Sequence, residues 1–285
     1  MIRLINYFLQ SIIIYLFFCI GRILGLKVSR AFFSLIFLIA GPLFKSKKVL
    51  NKNLDIFSSQ IKNINRHKVI KEMWKNYGKT FIEYIFLNKF RKDQSHIIIK
   101  GEQNLMEIIS NKKQVIFVSG HFANFELMSM AITKRNIQLA TIYRPLNNIF
   151  LNPLMEYLRK KYVCSYQIKK GINGVRETVN YIKKKFSVAL MIDQRVSEGE
   201  KINFFNKPAL TTTLPAQLSF KFNLDIVPVF IERVPNDSFV IEFQKPIKNK
   251  NFKDKIELSN KLNKILEKMI EKNPYQWIWT HNRWK

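Results

Sequence analysis

The chain has 285 residues, of which 47% are hydrophobic and 13% aromatic, so it is long and apolar enough to bury a sizeable core and is not a disordered protein. Its 48 Lys and Arg against 20 Asp and Glu give a formal net charge of +28, which favours a polyanionic partner: nucleic acid, an anionic membrane or an acidic carrier protein. A general enrichment in Lys, Ile and Asn explains the same charge without any partner. The two cysteines exclude a disulfide framework and a cysteine-based metal cluster.

The N-terminal region carries two apolar runs. Residues 4–21 contain no charged side chain, and as a helix they are just long enough to cross a hydrocarbon core of about 30 Å. We therefore predict that residues 1–24 are a transmembrane anchor, and the basic residues after it place residues 25–285 on the cytoplasmic side. The second run, near 31–44, is too short to span a membrane and predicts an interfacial helix. The alternative is that both runs are core helices of a soluble protein.

The rest of the chain alternates between helical and strand-like patterns. Residues 49–95 place apolar side chains at helical spacing, and a last helix is expected over 254–272, before Pro274. Short β-branched runs, typical of strands, lie at 96–101, 114–120, 138–144, 187–193, 225–233 and 239–247. The last two runs are expected to pair as a hairpin. The alternation indicates an α/β fold with a largely parallel mixed sheet flanked by helices.

Polar side chains follow three of these strands directly. Gly120-His121, Tyr143-Arg144-Pro145 and Asp193-Gln194-Arg195 each stand at a predicted strand end. Functional residues of such sheets gather at the carboxyl ends of the strands, so we expect these residues to converge on one site.

His121 and Glu126 form the central catalytic hypothesis. If the chain turns at His121 and a helix begins soon afterwards, Glu126 in its first turn can reach back to the imidazole. A carboxylate that holds an imidazole in one tautomer makes it a general base, which here would activate a hydroxyl brought by a substrate. A structural role is the alternative for a histidine at a strand end. His281 has neither a strand-end glycine nor a nearby acid in sequence, so it ranks below His121.

For three other candidate site residues, the sequence leaves two roles open. Arg144 either stabilises an oxyanion or binds a phosphate, and Asp193 either takes part in the site or forms an ion pair with Arg144 or Arg195. Arg176 follows a glycine-bearing turn that suits a phosphate or merely caps a helix.

The C-terminal stretch "YQWIWTHNRW" holds three of the four tryptophans. These side chains are expected either at a membrane interface or in a packed C-terminal strand.

The motifs together resemble one family, the bacterial lipid A late acyltransferases, also called the lauroyl/myristoyl acyltransferases. The block "SGHFANFEL" is similar to the H-x4-D/E motif of that family. The following blocks agree with the family's in type and order: "YRPLNN", "KKGINGVRE", "MIDQR", "INFFNKPALTTTLPAQLS", "IVPVFIER" and "PYQWIWTHNRWK". Three positions depart from the family pattern: Ala123 and Asn206 stand where glycine is usual, and Arg195 stands where lysine or another polar residue is expected.

The resemblance implies a glycerophosphate-acyltransferase-like fold and transfer of an acyl chain from acyl-carrier protein to a hydroxyacyl chain of a lipid A precursor at the bacterial inner membrane. His121 would take the hydroxyl proton, Glu126 would orient His121, and Arg144, Asp193 and Gln194 would serve the oxyanion or the substrate. The expected partners are acyl-carrier protein and an anionic glycolipid, without nucleic acid, metal or cofactor. Donor chain length, acylated position, Kdo requirement and oligomeric state stay open.

Rival functions also stay open: a glycerophospholipid acyltransferase, a lipid-binding protein without catalysis and a basic nucleic-acid-binding protein. The Glu at position 126 tilts against the glycerophospholipid enzymes, which carry Asp there. The uncharged N-terminal run and the absence of nucleic-acid-binding motifs weigh against the last rival.

Overall fold

A computed structural model describes residues 2–61, 63–93 and 95–285 of the chain. Its helices are α1 (Ile2–Ala40), α2 (Lys47–Ser58), α3 (Arg66–Glu83), α4 (Leu87–Lys92), α5 (Glu102–Ser110), α6 (Glu126–Thr133), α7 (Asn152–Tyr162), α8 (Ile172–Lys183), α9 (Leu214–Phe222) and α10 (Lys255–Lys272). Its strands are β1 (Ile97–Lys100), β2 (Val115–Ser119), β3 (Leu139–Tyr143), β4 (Tyr166–Lys169), β5 (Ser187–Met191), β6 (Glu200–Phe204), β7 (Lys207–Thr211), β8 (Asp225–Arg233) and β9 (Phe239–Phe243).

The main sheet has seven strands in the order β1-β9-β8-β2-β5-β3-β4. Every neighbouring pair is parallel except β8 and β9, which form the antiparallel hairpin that the sequence predicts. The mixed, mostly parallel α/β sheet is therefore confirmed. Two features escaped the sequence analysis: the edge strand β4 and the separate hairpin of β6 and β7, whose turn residues Phe205 and Asn206 have φ of 50° and 55°.

The sheet is buried on both faces. All five residues of β2 are buried, and they alternate between two hydrophobic clusters, with Ile116 and Val118 on one face and Val115 and Phe117 on the other. Helices α2, α3, α8, α9 and α10 contribute to the first cluster and α4 to α7 to the second. This continuous burial explains why β2 reads in sequence as an unbroken apolar run.

Helix α1 is kinked at Gly25, whose φ of 73° and ψ of 168° are not helical. The kink divides the helix into two segments, 2–24 and 26–40, at the boundary where we expected the anchor to end. The second segment packs against α3, burying Arg30 and Phe33 completely or nearly so. The first segment leaves many apolar side chains exposed, including Leu9 and Ile13. Within the described residues, one helical run, Ile2–Leu43, is long and apolar enough to cross a membrane.

The C-terminal segment after α10 is neither a strand nor an interfacial aromatic belt. A short 3₁₀ turn at Pro274–Gln276 leads into an irregular chain in which Trp277, Trp279 and Trp284 are buried in the first cluster. The interfacial interpretation of these tryptophans is therefore wrong, whereas the alternative is confirmed in their packing but not in the strand. The indole N–H groups of Trp279 and Trp284 donate to the backbone carbonyls of Pro274 and Phe204, so each buried ring keeps a hydrogen-bond partner.

A buried ion cluster connects helices α1 and α3 to the main sheet. The Glu83 carboxylate at the end of α3 accepts from Arg30 Nε (2.6 Å) and from Arg233 Nη2 (3.0 Å), and from Asn124 Nδ2 (2.9 Å) in the turn after β2. Burial raises the pKa of Glu83, but the charges of Arg233 and Arg30 outweigh burial and hold the pKa below its usual value. The cluster therefore stabilises the fold above the unfolded-state pKa of a glutamate, and this contribution is lost as the pH falls through the lowered folded-state pKa.

We expect Glu83→Gln to reduce the free energy of unfolding by about 3–5 kcal/mol, because it leaves the buried Arg30 without a counter-charge and Arg233 with only Asp237, at 3.9 Å. Thermal or urea unfolding measures the change. The matched control is Glu72→Gln on the same helix, where the side chain is 37% exposed and pairs with Lys75; it should cost less than about 1 kcal/mol. Equal stability of the two variants would show that the cluster does not hold the fold together.

Candidate active site

The turn after β2 brings His121 to the carboxyl edge of the sheet. Gly120 precedes it, and a Cβ there would lie 2.7 Å from the Phe122 ring and 3.3 Å from Asp193, so only glycine fits without displacing a neighbour. Ala123 has a φ of 43°, a left-handed conformation that favours glycine, the residue that the family resemblance leads us to expect at this position. Its backbone N–H donates to the Gln276 carbonyl, and its carbonyl accepts from Thr80 Oγ1.

The carboxylate that holds His121 is Asp193. Asp193 Oδ1 lies 2.8 Å from His121 Nδ1, and Oδ2 accepts from the His121 backbone N–H and from Trp277 Nε1, both at 2.8 Å. The register explains this contact: Ser119 on β2 pairs with Met191 on β5, so His121 and Asp193 each stand two residues beyond the same level of adjacent parallel strands. Asp193 is completely buried, whereas the His121 side chain is 20% exposed.

The electrostatics of Asp193 favour its charged form. Burial alone raises the pKa of this carboxyl, but the positive charge that His121 carries when protonated and the hydrogen bonds from His121 and Trp277 outweigh burial and leave the pKa below its ordinary value. Asp193 is thus an anion fixed beside His121 Nδ1. Neither Arg144 nor Arg195 is its partner in the described structure, so the ion-pair interpretation of Asp193 is replaced by the contact with His121.

Glu126, the first residue of α6, binds different partners from those that we expected. Its Oε1 accepts from Arg159 Nε (2.7 Å) on α7 and from Tyr84 OH (2.8 Å), and the described hydrogen bonds of Glu126 do not include His121. Burial alone lowers the pKa of Arg159, but the Glu126 carboxylate raises it above its usual value. The helix begins at Glu126 itself and directs the carboxylate toward α7. A catalytic role for Glu126 stays a prediction, whereas its expected contact with the imidazole is wrong in this structure.

His121 and Glu126 nevertheless line one cleft of about 540 Å³. Arg144 and Gln194 also line it, as expected from the strand ends, and so does His281, which the sequence analysis ranked low. Arg176 is exposed on α8 and is not among the lining residues.

Sequence reasoning missed Arg159 and Lys170, which also line the cleft; Lys45, in the basic run 45–48 that we expected to contact lipid phosphates, lines it as well. Arg159 lies in the run "YLRKKY", which looks like a solvated basic helix face. Burial, and to a lesser degree the charge of Arg144, lowers the pKa of Lys170. In the described part of the chain, no group of three or more His, Cys, Asp or Glu side chains is arranged to hold a metal ion.

A histidine–carboxylate pair at the carboxyl edge of a mostly parallel sheet, open to a positively lined cleft, is the arrangement expected of an α/β enzyme. The whole chain, residues 1–285, matches the family described as bacterial lipid A biosynthesis acyltransferase. The protein therefore belongs to the bacterial lipid A biosynthesis acyltransferases.

Individual relatives are distant. The chain is 26% identical over 254 residues to the lipid A biosynthesis palmitoleoyltransferase of Escherichia coli K12, an alignment that covers 87% of this chain and 81% of the relative. It is 21% identical over 244 residues to the lipid A biosynthesis lauroyltransferase of the same organism, covering 84% and 78%. The crystal structure of the 1-acyl-sn-glycerophosphate acyltransferase PlsC from Thermotoga maritima is similar with a TM-score of 0.43 and 15% identity, covering 89% of this chain and all of that one.

We expect Asp193→Asn to lower the rate of acyl transfer on the order of 10²–10⁴-fold, the range for loss of general acid–base catalysis. The amide presents an N–H to His121 Nδ1 in place of an acceptor, which favours the tautomer with its proton on Nε2. The control is Asp55→Asn, because Asp55 is exposed and pairs with Arg66 on the surface. Transfer rates and thermal unfolding are measured for both variants. A folded Asp193→Asn protein with the wild-type rate would remove Asp193 from the mechanism.

Proposed function

We propose that the protein is a membrane-anchored acyltransferase that transfers a fatty acyl chain from acyl-carrier protein to the hydroxyl of a hydroxyacyl chain on a lipid A precursor. The observation that carries the proposal is the His121–Asp193 pair beside the cleft. Membership of the lipid A acyltransferase family supports acyl transfer in lipid A synthesis. A serine or cysteine nucleophile is not needed, since the acceptor itself supplies a hydroxyl.

The reaction begins with a proton transfer to His121. Because Asp193 accepts the hydrogen bond of Nδ1–H, Nε2 is the unprotonated ring nitrogen and takes the proton of the acceptor hydroxyl. The resulting alkoxide oxygen attacks the thioester carbonyl and forms a tetrahedral intermediate with a negative oxygen. Collapse of the intermediate breaks the C–S bond, and the departing thiolate takes the proton from Nε2. The products are a new ester and the free carrier thiol, and His121 returns to its starting state.

The charge of the cleft suits an anionic acceptor. Lys45, Arg144, Arg159 and Lys170 line it, and Glu126 neutralises Arg159 directly, which leaves the other three cations for a ligand. An exposed arginine such as Arg144 binds a phosphate with two parallel hydrogen bonds at little cost in desolvation. Arg144 is therefore proposed to bind the glycolipid. Gln194, half-buried beside Asp193, is proposed to contact the reacting groups, and Arg176, outside the cleft, to contribute only to surface charge.

The direct test incubates the purified protein with acyl-carrier protein bearing a fatty acyl chain and with a lipid A precursor, and analyses the lipid by mass spectrometry. We expect one added acyl group and release of the carrier thiol, and His121→Ala should lower this rate on the order of 10²–10⁴-fold. Parallel reactions replace the precursor by a glycerophosphate lipid. Acylation of the glycerophosphate alone would instead support the glycerophospholipid alternative, and binding of the precursor without turnover would support a lipid-binding protein.

The first segment of α1 is proposed to anchor the protein in the bacterial inner membrane with the cleft on the cytoplasmic side. This segment contacts the loop that follows Arg144 at the cleft: Asn148 Nδ2 donates to the Tyr7 carbonyl, and Tyr15 OH donates to the Phe150 carbonyl. An inserted segment 2–24 therefore places the cleft close to the lipid surface. That position suits an acceptor whose acyl chains stay in the bilayer.

We expect the chain without residues 1–24 to be released from membranes by a high-salt wash, with partial binding left by the second segment of α1. A second variant, Leu9→Lys with Ile13→Lys, keeps the packed face of the helix and charges its exposed apolar face, since each of these side chains is just over half exposed. It should be released as well, because each Lys in the hydrocarbon core is costly, by about 2.5–3.5 kcal/mol. Full retention of both proteins in the membrane pellet would contradict the anchor.

A further inference from the structure

A second histidine, His281, faces the cleft beside His121 and has no part in the mechanism above. It lies in the buried C-terminal segment, four residues after Trp277, whose indole holds Asp193. The carbonyl of His281 accepts from Asn53 Nδ2 on α2 (2.6 Å), so the backbone at this position is fixed. The side chain of His281 lines the same cleft as that of His121.

One hydrogen bond defines the tautomer of His281. Its Nε2 lies 2.9 Å from the backbone nitrogen of Arg195. A backbone N–H can only donate, so Nε2 must accept and carries no proton, and the ring proton of neutral His281 is on Nδ1. Burial is the main cause that lowers the pKa of His281 to about 4; Asp193 opposes it and His121 adds to it. The ring is therefore neutral at neutral pH.

The remaining ring nitrogen is free for a ligand. Among the described residues, Nδ1 of His281 makes no hydrogen bond, and it is not one of the buried polar atoms enclosed without a partner. Since Nε2 is directed at Arg195 and the ring lines the cleft, Nδ1–H is a donor accessible to a bound substrate. It is neutral, so it does not repel the proton that His121 must gain.

We propose that His281 is a catalytic residue whose Nδ1–H donates a hydrogen bond to the thioester carbonyl oxygen as that oxygen becomes negative. This inference rests on the proposed acyl transfer. A fixed donor in a partly buried cleft stabilises a developing oxyanion without reorganisation during the reaction, which is the general basis of oxyanion holes. The exposed Arg144 is then free to bind the acceptor.

Two substitutions separate the donor from the structural contact. His281→Gln places an amide oxygen where Nε2 stands, so it retains an acceptor for the Arg195 N–H but loses the donor. His281→Asn places an amide N–H where Nδ1 stands, so it retains the donor but loses the contact with Arg195. We expect His281→Gln to lower kcat on the order of 10²–10³-fold with little change in KM, as for loss of one oxyanion donor. His281→Asn should lose less than about tenfold, the size of one neutral hydrogen bond.

The assays use the full-length protein in detergent, acyl-carrier protein bearing a fatty acyl chain and a lipid A precursor, with thermal unfolding of each variant. His67→Gln is the control, because His67 is exposed on α3, and it should keep the wild-type rate. A folded His281→Gln protein with kcat near wild type would overturn the inference. So would a folded His281→Asn protein as slow as His281→Gln, because an N–H donor kept in the place of Nδ1 would then not preserve the rate.

A spectroscopic measurement keeps the inference falsifiable if the variants do not fold. The ¹⁵N spectrum of histidine-labelled wild-type protein at pH 7 should show a neutral His281 with its proton on Nδ1; a proton on Nε2 or a charged ring would overturn the inference. This measurement also separates the two proposals. Wild-type protein that transfers no acyl group contradicts the proposed function, whatever the tautomer of His281.

Discussion

The buried carboxylate of Asp193 is the contact on which the geometry of the site depends. It accepts three N–H groups from two separate parts of the chain, the turn after β2 and the C-terminal segment. A buried anion is costly unless it is fully hydrogen-bonded, so the three donors and the carboxylate stabilise one another in a single arrangement. In that arrangement His121 has a defined tautomer, and the C-terminal segment that carries Trp277 also brings His281 to the cleft. The C-terminal segment after α10 is thus part of the site.

A second polar cluster links the site to the N-terminal helix. Glu83 binds Arg30 from α1, Arg233 from β8 and Asn124 from the turn that carries His121. The turn is therefore held from both sides, by Asp193 and by Glu83. A membrane-inserted first segment would be connected to the catalytic turn through the second segment of α1 and this cluster. Under the proposed function, the large positive charge and the anchor would have a common explanation, because both would bring an anionic lipid acceptor to the cleft.

The strand ends could be predicted from the sequence, but the partners of the side chains could not. An apolar run followed by Gly120-His121 marks the end of a buried strand, and the same reasoning applies to Asp193. Which carboxylate holds the imidazole depends on the strand order and register, because β5 lies directly beside β2 although β3 and β4 come between them in the chain. Spacing along the chain favoured Glu126 as the partner of the imidazole, because Glu126 is near His121 in sequence. Arg159 and Tyr84, the partners of Glu126, lie far from it in the chain and carry no motif.

The central claim is that His121 and Asp193 act as one unit while Glu126 acts through separate contacts. A pair of double-mutant cycles on the acyl-transfer rate tests this claim most directly. If His121 and Asp193 act together, the variant that combines His121→Ala with Asp193→Asn is no slower than His121→Ala alone, since the second change removes a partner of a base already lost. The combination of His121→Ala with Glu126→Gln is then slower than His121→Ala by the factor that Glu126→Gln produces by itself. The account would be contradicted by the opposite pattern. In that pattern Asp193→Asn slows the His121→Ala protein by its full separate factor, whereas Glu126→Gln does not slow the His121→Ala protein further.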